Sequence, residues 1–139
     1  MKTYQETITI STTKKGTFEF TERLHQAVKS SGLNLGQLTI YCRHTSCSLL
    51  IMENADPSVR DDLDYYIEKL VPESDPNYTH IYEGKDDMPA HIKTALTRTS
   101  ELIPFSDGKL MLGTWQGVFL WEHRARPHQR ELVLSIVGE

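Results

Sequence analysis

Three of the chain's six histidines sit beside other polar groups in segments of different type. His44 opens the run His44-Thr45-Ser46 at the end of a candidate strand. His80 lies in an irregular stretch, and His91 falls in the first turn of a candidate helix. Neutral imidazoles can bind Zn²⁺ or a similar ion and leave a position open for water or substrate. They can equally act as general acids and bases near neutral pH. A helix N-terminus favours the neutral form of His91, which suits either role. Spacing alone leaves a second reading open: His44 is simply hydrogen-bonded in the sheet, and His91 is a capping-region residue. His25, in mid-helix, and His123 and His128, beside an Arg-rich turn, read as solvated.

Further groups could share such a site. Glu53-Asn54 ends a strand, where a carboxylate can hold a cation, a metal-bound water or a substrate amino group. The plainer role is a turn in Glu53-Asn54-Ala55-Asp56-Pro57. Asp61 and Asp62 fall in the second turn of a helix. Either one points inward or both belong to a solvated acidic face. Thr45 and Ser46 could hold phosphate oxygens with nearby backbone N–H groups. Arg130, with Arg124 and Arg126 as further candidates, offers the planar fork that phosphate recognition prefers. Surface salt bridges are the alternative for all three. The bend Gly113-Thr114-Trp115-Gln116-Gly117 sets one large aromatic and one amide between two glycines. Such a bend suits a bulge or hairpin end where a ligand or a second backbone comes close.

These residues need elements to hold them. Alternation predicts strands over Tyr4–Ile10 and Arg130–Val137, and short strand-forming runs between breaks predict Thr17–Phe20, Gln37–Arg43, Cys47–Met52, Leu102–Phe105, Lys109–Leu112 and Val118–Glu122. Thr21 caps a predicted helix that Gly32 stops, with Leu24, Ala27 and Val28 inward. Asp56-Pro57 starts a second, with Val59, Leu63, Tyr66, Ile67 and Leu70 as its apolar face and Pro72 as its end. Asp86-Asp87-Met88-Pro89 starts a third, which runs to about Arg98 with Ile92, Ala95, Leu96 and Thr99 inward. Residues 73–87 read as a long, partly ordered loop, a frequent site of function. Asp107-Gly108 predicts a tight turn, with the strands around the glycine-rich bend read as a hairpin. Strands mixed with about three helices, without strict βαβ alternation, predict one α+β domain over residues 1–139 with a mainly antiparallel sheet.

Composition narrows the partners. Hydrophobic residues make up 38% and charged ones 24%, which excludes wholesale disorder. A net charge of −4 argues against a dedicated nucleic-acid binder, which needs a basic footprint. No signal-peptide hydrophobic region or membrane-spanning apolar run is present, so no membrane partner is expected. Cys42 and Cys47 lack zinc-knuckle spacing and read as free, partly buried thiols of a cytoplasmic protein.

Read in order, His44-Thr45-Ser46, Glu53-Asn54, Asp61-Asp62-Leu63, His80, Ala90-His91, Asp107-Gly108-Lys109-Leu110, Leu112-Gly113-Thr114-Trp115-Gln116 and Glu122 resemble the YjbQ-like family. The resemblance spans essentially the whole chain, and the run Leu112–Gly117 is its most specific part. The segment His123–His128 departs from the acidic, glycine-containing turn frequent in the family. The resemblance implies a compact α+β fold, a homotrimer and a polar pocket holding the matched histidines. It further implies a secondary, weak thiamine-phosphate synthase activity: hydroxymethylpyrimidine diphosphate joined to a thiazole phosphate, with release of pyrophosphate. On that expectation His44, Glu53, Asp62, His80 and His91 are the catalytic candidates, and His44, His80 and His91 could ligate Zn or Mg. Thr45, Ser46, Asn54, Thr114, Trp115, Gln116 and Arg130 would bind the phosphorylated substrate. Two alternatives stand beside it: a metal-dependent hydrolase or lyase with Glu53 as base, and a non-catalytic trimer that binds a metal or a small molecule.

Overall fold

The computed structural model describes residues 1–139. Eleven elements follow in order: β1 Lys2–Thr12, β2 Gly16–Glu19, α1 Thr21–Ser31, β3 Gly36–Cys42, β4 Cys47–Glu53, α2 Pro57–Leu70, α3 Asp87–Leu96, β5 Ser100–Ser106, β6 Lys109–Leu110, β7 Gln116–Glu122 and β8 His128–Gly138. They build two sheets, one of five strands in the order β1-β8-β3-β5-β6 and one of three in the order β2-β7-β4. Every strand pairing is antiparallel. The expected α+β class with three helices is what the chain adopts. No helix is long and apolar enough to cross a membrane.

Strand alternation sets the core. Ile8 and Ile10 of β1, Leu38 and Ile40 of β3, and Leu132, Leu134 and Ile136 of β8 point one way. They join Leu49 of β4, Val118 and Leu120 of β7, and Leu24 and Val28 of α1 in a single buried cluster. One core shared by both sheets makes the chain one domain. β7 differs from the other strands, because every residue from Gly117 to Glu122 is buried. It is the middle strand of its sheet, and α2 covers its second face: Arg60 lies over the Phe119 ring at 4.7 Å, and Trp121 Nε1 donates to Asp64 at 2.8 Å. Strands covered on both faces lose alternation and become continuously apolar.

Several local expectations are corrected. The residues around the glycine-rich bend do not form a hairpin. β6 pairs with β5 in the large sheet, and β7 pairs with β2 and β4 in the small one. Residues 111–115 are therefore a crossing between sheets. The hairpin is the one before it, closed by Asp107 (φ 52°) and Gly108 (φ 67°). Thr21 is the first residue of α1, not its cap. Its hydroxyl instead donates to Glu19 and accepts from the Val118 N–H, which ties α1 to β7.

The inner faces of α2 and α3 also differ. On α2 only Ile67 is fully buried, and Tyr66 and Leu70 are 61% and 53% exposed. On α3 the buried side is Asp87, Pro89, Ala90, Lys93 and Thr94, while Leu96 faces outward. The reason is a charge in a core position. Lys93 is completely buried and donates to Glu68 of α2, so the helix turns a polar residue inward that periodicity assigns to water. α3 ends at Leu96 because Thr97 is extended and Arg98 bridges to Leu49 beside the sheet.

Gly36 is where the core has no room. A Cβ there would lie 2.1 Å from the Val137 carbonyl and 2.8 Å from the Gly138 Cα, both backbone atoms that cannot step aside. Gly36→Ala is expected to lower the unfolding free energy by about 2 kcal/mol or more in urea titrations. A midpoint within error of wild type would contradict this packing.

Candidate functional site

α3 opens with a carboxylate and an imidazole four residues apart, Asp87 and His91, which places both on one side of the helix. The irregular stretch before α3 brings His80 to the same spot. His80 Nε2 lies 2.7 Å from Asp87 Oδ2, His91 Nε2 lies 3.2 Å from the same oxygen, and the two rings are 5.3 Å apart. One ligand atom from each residue falls within 4.8 Å of the other two. Asp87 is buried, whereas His80 and His91 reach solvent. Burial by itself would raise the Asp87 carboxyl. The His80 hydrogen bond and the charges of His91 and Arg124 outweigh it and hold the carboxyl below its ordinary range.

The tautomer of His91 follows from its other nitrogen. Nδ1 is 2.8 Å from the Thr45 carbonyl, which can only accept, so Nδ1 carries the proton. In the neutral ring Nε2 then holds a lone pair, and that lone pair faces a carboxylate oxygen. Two acceptors aimed at each other require a cation between them, either a proton on His91 or a metal ion. Two imidazoles and one carboxylate, with one imidazole oriented by a backbone carbonyl, fit Zn²⁺ or a similar borderline ion. They fit Mg²⁺ poorly, since it prefers oxygen ligands and bound water.

His44 stands beside this cluster rather than in it. Its Nε2 accepts the Glu131 N–H at 2.7 Å, so the ring is neutral with its proton on Nδ1. Burial, and then the Arg130 charge, push its pKa below the usual value. The lone pair expected to ligate a metal is already engaged. His44 does share a hollow of about 610 Å³ with Thr45, His91, Thr94 and Thr99. His91 thus belongs to both groupings, the carboxylate cluster and the hollow.

The expected phosphate fork is placed otherwise. Arg130 is buried and donates to both oxygens of Glu122, at 2.8 and 2.5 Å, and to Ser46 Oγ at 3.0 Å. Thr12 adds a hydroxyl to Glu122 at 2.6 Å. Arg130 and Ser46 are therefore a buried brace between the sheets, closed to a ligand. Glu53 Oε2 accepts the Asp56 N–H at 2.9 Å, which is the turn-forming role, and Asp56 in turn caps α2 by accepting from Ser58. Asp62 is exposed on α2 and bonds to none of these groups. Thr114 and Trp115 are exposed, Trp115 by 63%. Asn54 and Gln116 line a separate hollow of about 570 Å³ with Glu19, Thr21 and Leu112.

The ladder between β4 and β7 shows how far apart the two regions lie. Cys47 pairs with Glu122 at one end and Glu53 with Gln116 at the other. The histidines gather at the first end and the glycine-rich bend sits at the second, a separation of roughly 20 Å at ordinary strand rise. His123 is also corrected. It is buried, not solvated, with Nε2 2.9 Å from Ser48 Oγ and its ring 5.4 Å from Trp121. Asp87 and Arg124 are the residues that sequence reasoning did not single out for the cluster. The Asp-x-x-x-His spacing at a helix start was the available signal for Asp87. Arg124 had none, since its partners are 37 and 38 positions away.

Comparison with known proteins fits this architecture. Residues 6–139 match the model of the UPF0047 protein YjbQ-like family. A UPF0047 protein of Synechocystis sp. is 53% identical over 98% of this chain and 92% of its own. The UPF0047 protein YjbQ of Escherichia coli O157:H7 is 40% identical over 98% and 99%. Among solved structures, a protein of unknown function from Sulfolobus solfataricus P2 superposes with a TM-score of 0.91 at 25% identity, covering 99% of both chains. An uncharacterised protein of Clostridium acetobutylicum does so at 0.87 and 33%, over 95% of this chain and 99% of that one. The chain belongs to the UPF0047 YjbQ-like family.

The buried His123 makes a pH prediction. Burial drives its pKa down from 6.5 to about 3. The unfolded chain takes up a proton there below about pH 6.5, and the folded chain resists it. His123 thus favours folding fully at neutral pH, and this preference fades as pH falls through that window. Between pH 7 and pH 4.5 the loss is roughly 2–3 kcal/mol. His123→Gln, which stays neutral, should flatten stability against pH over that range in urea titrations. Parallel profiles for the two proteins would refute the assignment.

Proposed function

We propose that this UPF0047 YjbQ-like protein carries a secondary thiamine-phosphate synthase activity on a metal-dependent phosphate site formed by His80, Asp87 and His91. The observation that carries the reading is the His91 Nε2 lone pair aimed at the Asp87 carboxylate beside His80. A divalent ion bound there supplies positive charge to diphosphate oxygens. His80, Asp87 and His91 are the residues that would hold it. His44 and Thr45 line the neighbouring hollow and would offer it an Nδ1–H and a hydroxyl, whereas the buried Thr94 hydroxyl already donates to the Ala90 carbonyl at 2.9 Å. The His44 and Thr45 groups are donors of the kind that a developing diphosphate leaving group needs.

In the reaction, the bond from the pyrimidine methylene carbon to the diphosphate oxygen breaks, and both electrons leave with the diphosphate. The thiazole nitrogen lone pair forms the new bond to that carbon. No base is required for this step, which agrees with Glu53 serving the turn before α2. Arg130 is enclosed, so donors to the leaving group come from the His44 side of the hollow. The homotrimer and the cytoplasmic location belong to this reading through the family resemblance; exposed apolar residues on α2 and the loop after it, Tyr65, Tyr66, Leu70, Ile81 and Tyr82, offer a face for a subunit contact.

A second reading has an observation behind it as well. Two imidazoles and a carboxylate with solvent access are the donor set of metal-assisted hydrolysis. On that reading the protein cleaves a phosphorylated small molecule, and water attacks in place of the thiazole.

Untagged protein supplied with the pyrimidine diphosphate and the thiazole phosphate should form thiamine phosphate, read by thiochrome fluorescence. His91→Ala and Asp87→Asn should each reduce the rate by about 100-fold, and a chelator should do the same. Undiminished synthesis by both variants would sink the site assignment. Pyrophosphate or phosphate release without thiamine phosphate would favour the hydrolytic reading.

A further inference from the structure

Arg124 reaches the His80–Asp87–His91 cluster from the far side. Its guanidinium is nearly buried, with the side chain 11% exposed, and it gives each nitrogen a different partner. Nε donates to Asp86 Oδ2 at 3.1 Å, Nη1 to Asp87 Oδ1 at 2.6 Å, and Nη2 to the Glu83 carbonyl at 2.9 Å. The next residue repeats the tie, since the Ala125 N–H donates to Asp86 Oδ2 at 2.8 Å. Its own backbone is held too: the Arg124 N–H donates to Glu122 Oε2 at 3.3 Å, the same carboxylate that Arg130 grips.

This arrangement has a geometric consequence. With Oδ1 bonded to Arg124, the Asp87 carboxylate has Oδ2 left for the two imidazoles, and its plane is set by a rigid, planar cation. The Glu83 carbonyl bond anchors the loop that delivers His80, three residues before it. One side chain therefore positions two members of the cluster, and it is anchored to the brace between the sheets. Asp86, Asp87 and Arg124 together carry one net negative charge, so the clamp orients the carboxylate without cancelling the attraction for a cation.

We propose that Arg124 is the positioning residue of the cation site: it presets Asp87 Oδ2 and the His80 loop for metal binding while touching neither metal nor substrate. The inference rests on the metal reading above and adds a residue outside the ligand set. Partners that orient a metal's ligands typically change its affinity by 10–100-fold when removed. Lysine is a point donor and cannot bridge three acceptors in a plane, so Arg124→Lys should recover little.

The test titrates the full-length chain with Co²⁺, following its visible absorption, and with Zn²⁺ in competition with a chromophoric chelator. Circular dichroism and thermal melting check the fold. Arg124→Met should bind both ions roughly 10–100-fold more weakly, with a changed Co²⁺ spectrum. Arg124→Lys should stay at least roughly five-fold weaker than wild type. Asp86→Ala, which removes a partner of Arg124 without touching the cluster, should weaken binding in the same direction. Wild-type affinity and an unaltered spectrum in folded Arg124→Met would overturn the proposal. If that variant does not fold, unchanged affinity in both Arg124→Lys and Asp86→Ala overturns it instead. Failure of the wild-type chain to bind either ion is a different result. It removes the metal reading itself, and the role of Arg124 falls with it.

Discussion

The buried pair between Glu122 and Arg130 is the contact on which the rest of the structure leans. Glu122 ends β7 in the small sheet, and Arg130 sits near the start of β8 in the large one. Thr12 of β1 and Ser46, just before β4, complete their hydrogen bonds. Three strands from both sheets, and the residue before a fourth, thus meet at one carboxylate and one guanidinium. Burial would raise the Glu122 carboxyl, but the Arg130 and Thr12 bonds hold it low, so it stays charged against its partner. A pair this enclosed costs about 3–5 kcal/mol to break from one side, because the surviving charge has no water to turn to. Its contribution is less net stability than alignment, since it sets where β7 ends and the following turn begins.

That alignment passes outward to the cluster at α3. Glu122 also accepts the His123 and Arg124 N–H groups, which aims the Arg124 side chain at Asp86 and Asp87. Asp87 meets His80 and His91, and His91 is turned by the Thr45 carbonyl next to Ser46. The chain of contacts begins and ends beside Arg130. Buried charge of this kind is tolerated only when every donor and acceptor has a partner, and no buried side-chain polar atom lacks one. Between His91 and Asp87 two acceptors confront each other, and there the His91 ring reaches solvent.

The glycine-rich bend belongs to a different part of the molecule. Gly117 brings the β7 backbone so close to the end of β2 and the residue after β4 that a Cβ would fall 2.6 Å from Glu19 Oε2 and 2.8 Å from Asn54 Cβ. Gln116 closes the bend by accepting the Gly113 N–H, and Asn54 ties to both Trp115 and Glu19. The residues that seemed to form one chemical set along the sequence are therefore two sets, separated by the length of a strand pair.

Much of this was legible from residue order. Apolar strand-forming runs and the breaks between them marked all eight strands, Gly32 and Asp56-Pro57 marked helix ends through backbone chemistry, and the run from Leu112 to Gly117 pointed to the family. These signals are local, set by φ preference, capping and the two-residue repeat of a strand, so they survive without knowledge of partners. What tertiary structure alone decided was partnership. It placed Lys93 in the core against Glu68, enclosed Arg130 and Ser46, buried His123, and chose Asp87 over His44 as the neighbour of His80 and His91. A charged or polar side chain has the same local preferences whether it meets water, a ligand or an opposite charge. Which of these it meets depends on contacts tens of residues away, and only the packed chain brings those within hydrogen-bond reach.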